Sequence, residues 1–174
     1  MTTAEATSLL QPFQDQFRTS IVSVDTSSDM VTITIDKASV IPVFKFLYSE
    51  AGLSFQFLTD LCGIHFPDQN PPVLGVVYHL HSLTRNIRLR IKTFTPVSEP
   101  TVPSLTPVFE SANWMERETY DFFGILFEGH PNLIRILNMD EMTDFPMRKE
   151  FPLEDTTRSD KDDTFFGRKQ NNAL

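Results

Sequence analysis

The stretch 86–94, NIRLRIKTF, carries the cleanest alternation in the chain and decides the fold class. Ile87, Leu89 and Ile91 fall on one side of an extended backbone, and Arg88, Arg90 and Lys92 on the other, the period of two that a half-buried strand requires. Two more strand-like segments precede it, FQFLTDLCGIHF at 55–66 and VLGVVYHLHS at 73–82. If they close as a hairpin around PDQNPP, then Phe66 faces Val73, Cys62 faces Val77 and Asp60 faces His79. Further upstream, IVSV at 21–24 and TITI at 32–35 form a strand pair across the polar turn TSSD. Between the two groups, Ser39 is placed to cap a helix whose Val40, Val43, Phe44 and Leu47 recur at helical spacing, with Gly52 ending it. Pro42 lies in its first turn, where the missing N–H is tolerated. This order of elements predicts an α+β fold: a small antiparallel or mixed sheet with helices on one face.

Prolines 96, 100, 103 and 107 mark a stiff connector over 96–106. Thr106 followed by Pro107 is a helix start, and Gly124 a stop, so the spacing predicts a helix over 107–123, roughly 25 Å long. Val108, Ala112, Met115, Thr119, Phe122 and Phe123 make its apolar seam. Beyond Gly124 the periodicity fades, with prolines 131, 146 and 152 and scattered Phe145, Phe151, Phe165 and Phe166. The expected organisation is a compact domain over 1–124 and an extended, partner-binding arm over 125–174.

The chain has 174 residues, 40% hydrophobic, and a net charge of −8. No apolar run reaches the eighteen or so residues of a membrane span, and MTTAEATSLL lacks the basic start and apolar core of a secretory signal. A lone cysteine, Cys62, suits a reducing compartment and supplies no set of thiolates for an iron–sulfur cluster. There is no G-x-G-x-x-G, Walker loop or G-x-S-x-G. Cys62, His65, His79 and His81 are zinc-type ligands in a short span, but the hairpin register sets His65 and His79 on opposite faces, roughly 17 Å apart. A histidine pair beside Asp60, facing solvent or a partner, is the expectation there. The basic side of 86–94 suggests single-stranded RNA, yet that face is expected to offer only His79 and His81 and no aromatic platform. With the acidic balance, nucleic acid is disfavoured.

The segment 113–131, NWMERETYDFFGILFEGHP, crowds charges and rings together. Glu116 and Glu118 are two apart, so on a helix they point about 200° from each other and cannot converge on one substrate atom. Arg117 and Asp121, four apart, are close enough to pair, with Trp114 beside Asp121 and Glu118, while Phe109 and Tyr120 flank Glu116. On this reading the charges are buried against a partner, and removing Arg117 leaves carboxylates uncompensated. No catalytic residue is expected.

These residues also resemble a known family. ERETYDFFGI at 116–125, continuing through FEGHP at 127–131 to RIL at 135–137, closely resembles the diagnostic motif of the C-type subunit of NADH–quinone oxidoreductase, the 30-kDa subunit of respiratory complex I. SANW at 111–114 and RKEFPL at 148–153 fit the same pattern, and LTDLCGIHFPD and VVYHLHSL look like the family's strand pair. Asp144-Phe145 stands where many members carry Gly-His, and Tyr120 replaces a frequent Trp. The resemblance implies a ferredoxin-like compact part and a free-standing C-type subunit without fusion to the quinone-site subunit. It also implies a peripheral subunit on the cytoplasmic side of a bacterial plasma membrane, touching the membrane only through the complex. FMN, iron–sulfur clusters and quinone would be bound by other subunits of a proton-translocating enzyme, and none by this chain. The implied partners are the quinone-site subunit (D type) and the terminal iron–sulfur subunit (B type). The expected interface is Trp114, Glu116, Arg117, Glu118, Tyr120, Asp121, His130, Arg135, Arg148 and Lys149. The alternatives are the equivalent subunit of a membrane-bound hydrogenase or a ferredoxin- or coenzyme-dependent dehydrogenase and, more distantly, a stand-alone RNA-binding domain.

Overall fold

The computed structural model describes residues 8–28 and 30–151. A short helix α1 (Gln11–Gln16) leads into β1 (Ile21–Asp25) and β2 (Val31–Ile35). Helix α2 (Val40–Ser49), then β3 (Phe57–Phe66), β4 (Val73–Ser82) and β5 (Ile87–Pro96), complete the first part. The sheet runs β1-β2-β5-β4-β3, antiparallel throughout except for the parallel pair β2–β5, so it is mixed. The expected hairpin register is observed: Phe66 faces Val73, Cys62 faces Val77 and Asp60 faces His79.

Alternation divides the sheet into two faces. Ile87, Leu89 and Ile91 are buried with Val31, Ile33, Leu74, Val76 and Leu80. Helix α2 adds Val40, Val43, Phe44 and Leu47, the four residues its spacing predicts, and Phe44 meets Tyr78 edge-on at 4.8 Å. Each such side chain removed from water contributes about 1.5–3 kcal/mol, so the strands and α2 hold one another in place. The α2 N-terminus differs from expectation. Ser39 closes a 3-10 turn (Lys37–Ser39), and its hydroxyl donates to Ser20 Oγ at 2.8 Å instead of capping the helix. Helix α1 has no clear periodic signal in the sequence; it buries Phe13 against Phe17 and Phe46.

The second half departs further. The proline-rich connector contains a strand, β6 (Thr101–Pro103), paired in parallel with β7 (Leu126–Glu128). The motif helix α3 spans Ala112–Phe123, five residues shorter at its start than the Thr106–Pro107 signal suggests. Residues 105–111 form turns instead, with Val108 N–H and Phe109 N–H both donating to the Leu105 carbonyl. Gly124 ends the helix with φ +71, and a Cβ there would also strike the Phe145 ring. Only glycine satisfies both constraints.

The boundary expected at Gly124 is not one in the structure. Ile125 and Phe127, immediately after it, are core residues, and the chain is still bonded to the domain at Lys149, whose N–H meets His65. Periodicity does not reveal this, because a three-residue strand and irregular loops have no period to detect. The part of the expected arm beyond 151, with Pro152, Phe165 and Phe166, lies outside the described residues. Ending the chain at Gly124 therefore removes two core side chains worth on the order of 2–5 kcal/mol each. The expected outcome is loss of the cooperative thermal transition followed by circular dichroism, and a retained transition would restore the boundary.

Candidate partner-docking site

Helix α3 packs along β3 so closely that a Cβ on Gly63 would fall on the Phe123 ring. The sequence motif occupies this helix and the loop after it, and two of its carboxylates, Glu116 and Asp121, point inward. Glu116 has 0% exposure. Its Oε2 accepts from Ser104 Oγ and its Oε1 from Leu105 N–H, both at 2.6 Å. Burial pushes the carboxyl up from 4.5 to about 7, against the opposing pull of the Ser104 and Leu105 donors. The carboxyl thus fastens the end of the connector to the helix, just before the point where the spacing places the start of α3.

Asp121 also has 0% exposure and pairs with Arg135, not with Arg117. Its Oδ1 accepts from Arg135 Nη1 at 2.7 Å and from Asn138 Nδ2 at 3.0 Å. Its Oδ2 accepts three successive backbone N–H groups, from Ile136 at 3.1 Å, Leu137 at 2.8 Å and Asn138 at 2.9 Å. Burial alone would raise this carboxyl, but the Asn138 and Leu137 amides, with Arg135 and the Asn138 side chain, outweigh it and hold it well below the carboxylate range.

The last four carbonyls of α3, which no helical N–H can reach, are all satisfied by the chain that follows. Gly124 N–H donates to Tyr120 O, and Arg135 Nη1 to Asp121 O. Met147 N–H donates to Phe122 O, and Arg148 Nε to Phe123 O. Both guanidiniums also lie within about 5 Å of the Phe145 ring centroid, a cation–π arrangement at the negative end of the helix dipole.

The expected interface residues therefore divide. Glu116 and Asp121 cannot touch a partner, because the chain's own backbone covers them; a helical wheel puts them on an outer face because it includes neither the connector nor the loop. Arg135 and Arg148 are half-buried and committed to carbonyls. His130 donates from Nε2 to Asn113 O at 3.1 Å and accepts Asn132 N–H at Nδ1, tying the loop to the start of α3. Lys149 is exposed, while its N–H donates to the buried His65 Nδ1 at 3.0 Å. Tyr120 packs against Phe145. Arg117 donates to the carbonyls of Ile134 and Arg135 and lies 5.0 Å from the Trp114 ring centroid. Trp114 itself is 62% exposed, and Glu118 is open to solvent. Exposed Ile134, Leu137 and Met139 follow along the same loop. These three carry no sequence signal of their own, since their position depends on the Asp121 clamp.

Among the described residues no three histidine, cysteine or carboxylate side chains cluster as metal ligands. His79 instead accepts from Arg90 Nε at 2.9 Å and lies 3.5 Å from Asp60. An open groove of about 320 Å³ between β3 and α3 is lined by Leu61, Cys62, Phe122, Phe123 and Met147, with Glu118 its one carboxylate.

The two buried carboxyls respond to pH with opposite signs. Neutral Glu116 contributes stability that is full below pH 4.5 and lost as pH rises through about 7. Glu116→Gln keeps the acceptor for Leu105 N–H at Oε1 and, with Nε2 donating to Ser104 Oγ, the second bond in reversed direction at every pH. In urea titrations it should flatten that slope and exceed the parent by about 1–3 kcal/mol near pH 8. An unchanged slope would contradict the assignment. Asp121 has the reverse sign, with stability present above the ordinary carboxylate range and lost in acid. Asp121→Ala should cost about 3–5 kcal/mol, because Arg135 and three amides lose their acceptor. Arg117→Ala should cost roughly 1 kcal/mol, since it loses carbonyl contacts and the stacking on exposed Trp114 but strands no buried charge. Equal costs would mean that Arg117 is the true counter-ion.

The family model described as "Respiratory-chain NADH dehydrogenase, 30 Kd subunit" matches residues 33–157. The C-type subunit of NADH-quinone oxidoreductase from a Nocardioides species is 42% identical over 71% of this chain and 49% of its own length. The Mycolicibacterium gilvum protein of the same name is 38% identical over 80% of this chain and 62% of its own. The chain thus spans about half to two thirds of the curated relatives it matches. Among solved structures, the trypsin-resistant fragment of Nqo5 aligns with a TM-score of 0.60 at 29% identity, over 72% of this chain and 99% of that one. A chain of the membrane-bound sulfane sulfur reductase, an archaeal respiratory membrane complex, shares the fold at a TM-score of 0.72 and 18% identity, over 86% of each chain. With α3 and its clamped loop inside the matched region, this chain belongs to the 30-kDa subunit family of respiratory-chain NADH dehydrogenase.

Proposed function

We propose that this chain is a non-redox, peripheral-arm subunit of a proton-translocating NADH:quinone oxidoreductase, one that positions neighbouring subunits while electrons pass elsewhere. Family membership supports the enzyme class, and the relatives' shared name supports the quinone acceptor. Among the described residues no helix is long and apolar enough to cross a membrane, which fits attachment through other subunits. FMN, iron–sulfur clusters and quinone would then be held by those subunits, on the cytoplasmic side of a bacterial plasma membrane.

One observation carries the docking role: Glu116, Arg117 and Asp121 are committed within the chain, leaving Trp114 and Glu118 outside. Arg117 stacks on that ring and grips the loop carbonyls beside Ile134, so the ring is held in place before any partner arrives. Large rings and arginine dominate interface energetics when water is excluded around them, and exposed apolar groups gathered this way mark contact surfaces. The fitting partner is the quinone-site subunit, with Trp114, Ile134, Leu137 and Met139 as the apolar centre and Glu118 and Lys149 at the rim.

Trp114→Ala should leave the thermal transition of the isolated chain unchanged while reducing co-purification of the quinone-site subunit about thirtyfold, the loss of a 2 kcal/mol anchor. Normal assembly with lost turnover would place the residue in catalysis and overturn the docking role.

A further inference from the structure

The helices cover one face of the five-stranded sheet, and the register defines what the other face presents. Its rows begin with Arg88 beside His81 and Phe57, then Arg90 beside His79 and Asp60. Next come Lys92 beside Val77 and Cys62, Phe94 beside Gly75 and Ile64, and finally Val73 beside Phe66. One half is cationic and the other apolar. Phe66 and Phe94 pack at 5.9 Å, and the Phe94 ring lies so flat over Gly75 that a Cβ there would meet it at 2.7 Å.

This corrects the expectation that the face lacks aromatics. Phe94 simply continues the Arg88–Arg90–Lys92 alternation. Phe57 is there because β3 shifts register between Leu58 and Asp60, which turns Leu58 inward and Phe57 outward. Phe57 and Phe66 remain 48% and 41% exposed. Among the described residues Arg88 and Lys92 form no ion pair, and Arg90 contacts only His79 and Thr32. Asp60, 3.5 Å from His79, is the carboxylate at the β3 edge, and Asp25 lies in the row at the β1 edge. In a chain of net charge −8, a half whose cations are exposed at Arg88 and half-buried at Arg90 and Lys92, bordered by exposed rings, is the local exception.

We propose that this open sheet face is a second docking surface, occupied by a polypeptide segment of another subunit that carries carboxylates next to apolar side chains. The inference rests on the chain being part of a multi-subunit complex, but not on the Trp114 surface. Charge complementarity selects the occupant: carboxylates meet Arg88 and Lys92, and apolar side chains meet Ile64, Phe66 and Phe94. A second copy fits poorly, because two-fold pairing sets the cationic half against either itself or the apolar half. RNA fits poorly because Phe57 is the one exposed ring among the cations, and the chain's net charge repels a polyanion.

The test is photo-crosslinking within the purified, assembled complex. Benzoylphenylalanine is placed in the full chain at Phe57 or Arg88, at Lys45 on exposed α2 as a control, and separately at Trp114. The expected result is a crosslink from position 57 or 88 to an Asp- or Glu-containing peptide of another subunit, about tenfold above the Lys45 control. Arg88→Glu with Lys92→Glu should cut the Phe57 crosslink about tenfold, the loss of roughly 1.4 kcal/mol. Crosslinks to residues 152–174 of the same chain, to a second copy or to RNA, or a yield no greater than the control, would each overturn the proposal. A crosslink at Trp114 with none at 57 or 88 removes this inference alone; the reverse pattern removes only the Trp114 surface.

Discussion

The structure depends on how the C-terminal end of α3 is finished. A helix that stops leaves four carbonyls without partners, and burying them unpaired would cost more than the helix gains. Here the chain turns at Gly124 and returns twice, bringing Arg135 and then Met147 and Arg148 to those carbonyls. Asp121 reciprocates from within the last turns by accepting three amides of the returning loop. Donors and acceptors are matched on both sides, so a charged and buried cluster is tolerated. The loop has no periodic pattern of its own and takes its shape from this end of the helix.

The charge-rich motif therefore works mainly within the chain. Glu116 secures the segment before α3, Asp121 the segment after it, and Arg117 holds the loop against Trp114. Their spacing on the helix aims them at different strands of surrounding chain, which is why no pair converges on a common point as an acid and base would. What stays exposed around it is Trp114 with Glu118 and the apolar loop beyond and, on the far side of the sheet, the rings of Phe57 and Phe66 near Arg88 and Lys92.

Much of this is legible in sequence wherever a period exists. The alternation of 86–94 gives the sheet's two faces, the PDQNPP turn gives the β3–β4 register, and four apolar residues give the buried side of α2. The errors share a cause: they concern contacts made by segments distant in sequence. Arg117 sits four residues from Asp121, a sound local pairing, yet Arg135 prevails because it also reaches the carbonyls of Asp121, Met142 and Asp144. Glu116 reads as an interface charge because nothing local reveals that Ser104 and Leu105 fold back upon it. The register shift in β3 moves Phe57 to the opposite face from the one strict alternation assigns.

The chain itself, without any partner, satisfies its buried Glu116 and Asp121. Amide hydrogen exchange of Ile136, Leu137 and Asn138 in the isolated chain measures this most directly. Protection should approach that of the β4–β5 ladder, because all three amides donate to a buried carboxylate. Rapid exchange in the isolated chain, with protection only after assembly, would mean that partners, and not the chain itself, create the clamp.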